Sequence, residues 1–225
     1  MIDLVLINFL GGIALNNVET IHQLRIQLWN ISYSDYINQA LFSYQWWGIV
    51  ALLIIVYTIW WKLVDKTRLI EILLFGSFVT VMSTLFDLWG ISAARWQYDI
   101  GLLPFQLAPF PFDYSVIPIL LMLSYQYSSS WLTYIINSSL SSAFISFIIG
   151  PSFLYFGIMS YFDWNFIYFF LGDIAMAAIA RVVILHILQT VKASRTENAA
   201  VSRYDSIARP ATKPLPNNDN NDHDH

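Results

Sequence analysis

A chain of 225 residues that is 57% hydrophobic and only 12% charged falls far below the roughly 25% charge of soluble domains, and with a mean hydropathy of +0.55 it reads as an integral membrane protein. A formal net charge of -4 offers no basic surface, so no nucleic-acid partner is expected. The absence of cysteine excludes disulfides and thiolate metal sites.

Residues 1–45 form an N-terminal segment. Its opening run, "MIDLVLINFLGG", has no positive charge ahead of it, so a signal peptide is not expected. Leu4 to Leu15 is too short to span. Ile21, Leu24, Leu28 and Ile31 recur at helical spacing between Glu19, Gln23, Gln27 and Asn30. That pattern predicts an amphipathic helix on the membrane surface. The alternative is a sixth, short or re-entrant span.

Residues 46–188 predict an all-α bundle of about five transmembrane helices, at 46–64, 70–90, 111–127, 131–150 and 166–188. Trp46, Trp47, Trp60, Trp61, Trp89, Trp96, Trp131 and Trp164 crowd their ends, as an aromatic belt would. Lys62, Lys66 and Arg68 follow the first span, and Lys192, Arg195, Arg203, Arg209 and Lys213 follow the last. Five spans put both groups on one side, so the basic residues predict a cell-membrane protein with the C-terminus cytoplasmic. From residue 189 to 225 the sequence turns polar and proline-dotted, which predicts a disordered tail. Its end, "NDHDH", is read as a solvated terminus rather than a metal site.

The informative residues are charges at membrane depth, which are costly and usually face the bundle interior. Asp87 lies three residues from the outer end of the second span, Asp113 two residues into the third, and Asp173 seven residues into the fifth. At about 1.5 Å per residue, all three fall within roughly 10 Å of the outer ends. With Arg95 and Tyr98 of the intervening loop they form the candidate binding cluster: Asp87, Arg95, Tyr98, Asp113 and Asp173. Asp113, just after Pro111, is also placed to cap a first helical turn. Asp87, near a helix C-terminus, needs a partner, for which Arg95 or a tyrosine hydroxyl is the candidate. Asp173 has no partner close in sequence. Arg181 and His186 lie toward the inner side, where Arg181 could reach the interface or Glu71. Pro118 leaves the Tyr114 carbonyl without its helical bond, and such breaks persist where protein or water meets the freed group. Small residues on the last two spans, Ser138, Ser142, Ala177 and Ala180 among them, predict close packing there.

"SYQWW", "WWKLVDKTRLIEILLFG", the "D…W-x-Y" of Asp87, Trp96 and Tyr98, and "PFDYSVIPILLMLSYQYSSSW" resemble an uncharacterised family of small multi-pass integral membrane proteins of Gram-positive spore-forming bacteria. The resemblance covers residues 42–188. It implies a bacterial cell membrane and no reaction. Gly150 before Pro151 and the long polar tail depart from that family's pattern. A fainter resemblance is to membrane-embedded carotenoid cyclases, whose Pro-x-Glu-Glu element is matched only by "PFD" at Pro111 to Asp113.

The sequence contains no HExxH, GxSxG, P-loop or histidine cluster, so no catalytic residue, metal or cofactor is expected. The first expectation is a non-enzymatic membrane component that binds a partner or acts as a sensor. Its surroundings are the lipid bilayer and either a membrane-protein partner or a second copy of the chain. The alternatives are a small transporter or ion-handling protein using the outer carboxylates, and an isoprenoid- or lipid-modifying enzyme.

Overall fold

The computed structural model describes residues 2–104 and 111–208. The chain divides into two compact units, residues 1–184 and residues 185–225. The first unit is built from helices and one small ribbon: α1 (Ile2–Asp35), α2 (Tyr44–Leu63), α3 (Leu69–Ser92), β1 (Trp96–Tyr98), α4 (Ile117–Gln126), α5 (Trp131–Phe144), α6 (Gly150–Tyr155), β2 (Met159–Tyr161) and the start of α7 (Phe166–Ala208). A π-helical turn at Phe112–Val116 leads into α4, and another at Ile145–Ile149 joins α5 to α6.

Among the described residues, four helical stretches are long and apolar enough to cross a membrane: Tyr44–Leu63, Lys66–Ser92, Trp131–Tyr155 and Phe166–Ser194. The third expected span, 111–127, is not one of them. Residues 112–126 cover about 22 Å at helical rise, short of the roughly 30 Å hydrocarbon thickness. This helix is instead the buried centre of the bundle. Phe112, Val116, Ile117, Ile119, Leu121, Met122 and Tyr125 are all buried, and α3 and α5 are its main neighbours. Hydropathy alone cannot separate such a core helix from a lipid-facing one, because both are apolar. The surrounding helices carry their apolar residues outward: Ile54, Ile55, Val81, Leu85, Leu140, Phe147, Leu171 and Val182 are exposed.

Local sequence explains the helix starts. Ser43 accepts a hydrogen bond from Trp46 N at 3.2 Å at the head of α2, and Ser130 accepts one from Thr133 N at 3.1 Å at the head of α5. Pro118 has the expected consequence. The Tyr57 hydroxyl from α2 donates to the Tyr114 carbonyl at 3.1 Å, and Ser115 Oγ donates to that tyrosine at 3.0 Å. Close helix approach is set by Gly76 on α3, where a Cβ would collide with the Met122 thioether of α4. The α5 and α7 helices meet through Tyr134, whose hydroxyl donates to the Ala177 carbonyl at 2.6 Å.

The N-terminal segment is one helix through Asp35, where the sequence had indicated two separate stretches. Ile21, Leu24, Leu28 and Ile31 are exposed and share one face of this helix, opposite Glu19, Gln23, Gln27 and Asn30. Residues 192–208, whose polarity predicts disorder, continue α7 as helix to Ala208. They contain no proline or glycine and are rich in alanine, which favours helix despite the polarity. Residues 209–225 lie outside the described residues.

Candidate functional site: an acidic pocket beside the ribbon

The sequence reading did not include strands. Trp96–Tyr98 pairs antiparallel with Met159–Tyr161, in the register Trp96–Tyr161, Gln97–Ser160 and Tyr98–Met159. Side chains alternate faces along a strand. Trp96, Tyr98, Met159 and Tyr161 therefore share one face, while Gln97 and Ser160 take the other. The outward pair is tied down by Asp99, which accepts from Gln97 Nε2 at 2.7 Å and from Ser160 Oγ at 2.5 Å.

The inward face lines a pocket whose empty space, including the part open to solvent, is about 480 Å³. Asp87 of α3, Asp113 of the first π-turn and Asp173 of α7 all line it, at 4%, 3% and 4% relative exposure. Its walls are the rings of Phe86, Phe112, Phe166, Phe169, Tyr98 and Tyr161, with Met159 and Met176. Ser83 and Ser146 add hydroxyls. No Lys, Arg or His is among the described lining residues. The π-turns contribute directly: one carries Asp113 and the other Ser146. Such turns shift the phase of a helix and recur at functional sites.

The "W-x-Y" spacing now has a physical reason. Trp96 Nε1 donates to Asp87 Oδ1 at 2.8 Å, and the Tyr98 hydroxyl donates to the same oxygen at 3.2 Å. Two residues apart on a strand, both donors reach one acceptor. Burial, reinforced by the Asp87 charge, pushes the Tyr98 hydroxyl well above its ordinary range, so it stays protonated and able to donate. Trp96 is fully buried within the protein. It packs against Phe169 at 4.8 Å, Trp164 at 5.0 Å and Phe86 at 5.8 Å between ring centroids. The backbone makes room for it at Gly90, where any Cβ would overlap the indole.

Of the five sequence candidates, Asp87, Tyr98, Asp113 and Asp173 converge on this pocket and Arg95 does not. Arg95 Nη1 instead pairs with Asp163 at 2.5 Å on the surface. The expected Asp87–Arg95 pair is therefore replaced by the tyrosine alternative together with an indole. Arg95 directly precedes β1, and Asp163 follows β2 close by. Asp113 sits in the first turn as expected, but it points into the pocket with Oδ2 unmet by any donor. Asp87 Oδ2 and Asp173 Oδ2 are likewise buried without a donor. Asp87 and Asp113 lie within hydrogen-bond reach of one another. Among the described residues, no three His, Asp or Glu side chains are arranged to hold a metal ion.

Arg181 lies elsewhere in the bundle. Its guanidinium sits 4.4 Å from the Tyr134 ring centroid and 4.8 Å from that of Trp131. Glu71 is engaged by Arg68 Nη2 at 2.6 Å and by the Tyr125 hydroxyl at 2.6 Å.

The sequence could not indicate the phenylalanine walls, which come from α3, the first π-turn and α7. Nor could it place Ser146, whose direction depends on the π-turn. Comparison of the chain with protein-family models, with curated proteins and with solved structures finds no match.

Proposed function

We propose that this chain is a non-enzymatic membrane protein that binds a small organic cation, of the ammonium class, in the acidic pocket. One observation carries the reading. Three buried carboxylates each present an oxygen that no N–H or hydroxyl of the described residues meets, with Asp87 and Asp113 in reach of one another, and no basic side chain is among the described lining residues. Buried charge of one sign is costly until a proton or a counter-charge reaches it. The aromatic walls select the kind of counter-charge. Ring faces attract ammonium groups, whereas a compact metal ion needs converging oxygen ligands. The carboxylates supply charge and the rings supply shape, which is how alkylammonium ions are recognised.

The ribbon end faces outward in this reading. Lys62, Lys66 and Arg68 lie at the α2–α3 turn, the opposite end of α3 from Asp87, and such a basic cluster marks the cytoplasmic side. The pocket would then sample the medium outside a bacterial cell membrane. A sensor or ligand-capture role follows from that placement.

The test uses the protein's own tryptophans, since Trp96 donates to Asp87 and packs beside the pocket. Purified protein in detergent is titrated with tetramethylammonium, and emission is followed. A saturable change that is lost in Asp173→Asn supports the reading. An equal response to tert-butanol, a neutral molecule of similar shape, would overturn it.

A further inference from the structure

Taking the pocket as the cation site described above, we propose that it releases one proton for each organic cation it binds, and that this proton is the one shared by Asp87 and Asp113. Asp87 and Ser83 are four residues apart on α3 and lie on one face of it. Ser83 Oγ shares its proton between the Thr80 carbonyl at 3.1 Å and the Asp113 main-chain carbonyl at 3.3 Å. That contact sets the Asp113 turn against the same face, and the two carboxyl groups come within hydrogen-bond reach of each other. An ionised carboxylate only accepts hydrogen bonds, so a bond between two of them needs a proton on one. Both groups are buried, and no Lys, Arg or His is among the described residues lining the pocket. Carboxylates in contact in such a site do not both ionise.

The donors decide which of the two keeps the charge. Asp87 Oδ1 already accepts from Trp96 Nε1 and from the Tyr98 hydroxyl, and both bonds favour its ionised form. Asp113 has only the Ser83 hydroxyl in reach, whose one proton the two main-chain carbonyls share. The proton therefore sits on Asp113 and is donated to Asp87. The other titratable groups facing the pair are Tyr98 of β1, Tyr161 of β2 and Asp173 of α7. Burial and the Asp87 charge push both tyrosine hydroxyls above their ordinary range, so neither gives up a proton near neutral pH. Asp173 shares no hydrogen bond with the pair among the described residues, so it holds no bridging proton. When a monovalent cation enters, the Asp113 O–H bond breaks and the proton passes to water at the pocket's open side. One positive charge replaces another, so no bare charge is buried on the way. By linkage the cation is held more tightly as pH rises and is shed as the medium acidifies.

The experiment titrates the full chain in detergent with tetramethylammonium chloride, which has no proton of its own to release. Calorimetry in phosphate and in Tris, whose heats of protonation differ, counts the protons set free. The expected count at neutral pH is about one per cation, with Kd falling by up to about tenfold for each unit rise in pH. Infrared difference spectra should show the carbonyl band of one protonated carboxyl disappearing on binding. Asp113→Asn should lack that band before any ligand is added, and its proton release should fall roughly fivefold or more. Asp87→Asn carries the same expectation and serves if Asp113→Asn does not fold. Saturable binding with buffer-corrected heats that count no proton, and a Kd independent of pH, overturns the exchange and leaves the cation site standing. A band that persists in both asparagine variants places the proton on Asp173 and overturns the shared pair. The absence of saturable binding at any pH overturns the cation site and the exchange with it.

Discussion

Gly90→Ala is the most direct test of the packing that holds Asp87 in place. The added methyl would fall on the Trp96 ring. That ring has nowhere to go: it is fully buried and enclosed by Phe86, Trp164 and Phe169. Overpacking of this kind costs about 1–3 kcal/mol. If the indole shifts, its bond to the Asp87 carboxylate is lost as well, for about another 1.5–3 kcal/mol. Together these correspond to a fall in Tm on the order of 5–20 °C for a chain of this size. Two other glycines calibrate the result. A Cβ on Gly48 meets nothing within 4 Å, so Gly48→Ala should stay within about 1 kcal/mol of wild type. At Gly76 the obstacle is the flexible end of Met122, which can swing aside, so Gly76→Ala should fall between the two. Thermal unfolding in detergent, followed by tryptophan emission, measures all three. A Gly90→Ala midpoint within about 2 °C of wild type, against the range above, would refute the account of Trp96 as a fixed donor to Asp87.

Further outcomes follow from the same contacts. Arg95→Ala removes an exposed ion pair with Asp163 and should change stability by no more than about 1 kcal/mol while leaving cation binding intact. Weakened binding in that variant would return Arg95 to the site. Tyr98→Phe removes one of two donors to Asp87, a loss of about 1–2 kcal/mol by chemical unfolding, less than Gly90→Ala. Asp65 accepts from the Thr67 hydroxyl and backbone N–H, which hold its carboxyl below the usual range, with help from Arg68. Its folded value is the lower one, so its contribution is present above the unfolded value near ~3.9 and is lost as pH falls through the folded value. Asp65→Asn should flatten that acid limb of the stability curve, and an unchanged limb would remove Asp65 from it. The chain has no cysteine, so single cysteines report topology cleanly. Asp163→Cys should react with an impermeant maleimide on intact cells and Lys66→Cys should not; the reverse pattern would invert the proposed orientation.

Much of the site was legible because depth along a helix is a one-dimensional quantity. Counting residues from the ends of three helices was enough to bring Asp87, Asp113 and Asp173 to one level, and the structure brings them into one pocket. Pro118 was legible for a similar reason, since a proline's missing N–H fixes which carbonyl must find another donor. What escaped depends on contacts between distant segments. The ribbon pairs two strands of three residues each, about sixty residues apart in the chain, too short for periodicity to register. Arg95 was assigned to Asp87 because they are neighbours in sequence, and the pairing of β1 with β2 brings it beside Asp163 instead. The central helix was read as a fifth span because burial in protein and burial in lipid select the same residues.

The claim that matters most is that the three carboxylates hold a cation. Calorimetric titration with choline and with 3,3-dimethyl-1-butanol, its uncharged isostere, measures the contribution of charge alone. The account predicts saturable choline binding at least tenfold tighter than the alcohol, a difference of about 1.4 kcal/mol or more, with the preference abolished when Asp87, Asp113 and Asp173 are all changed to asparagine. Equal affinities for the two molecules in the wild-type protein, or a choline preference that survives the triple substitution, would contradict it.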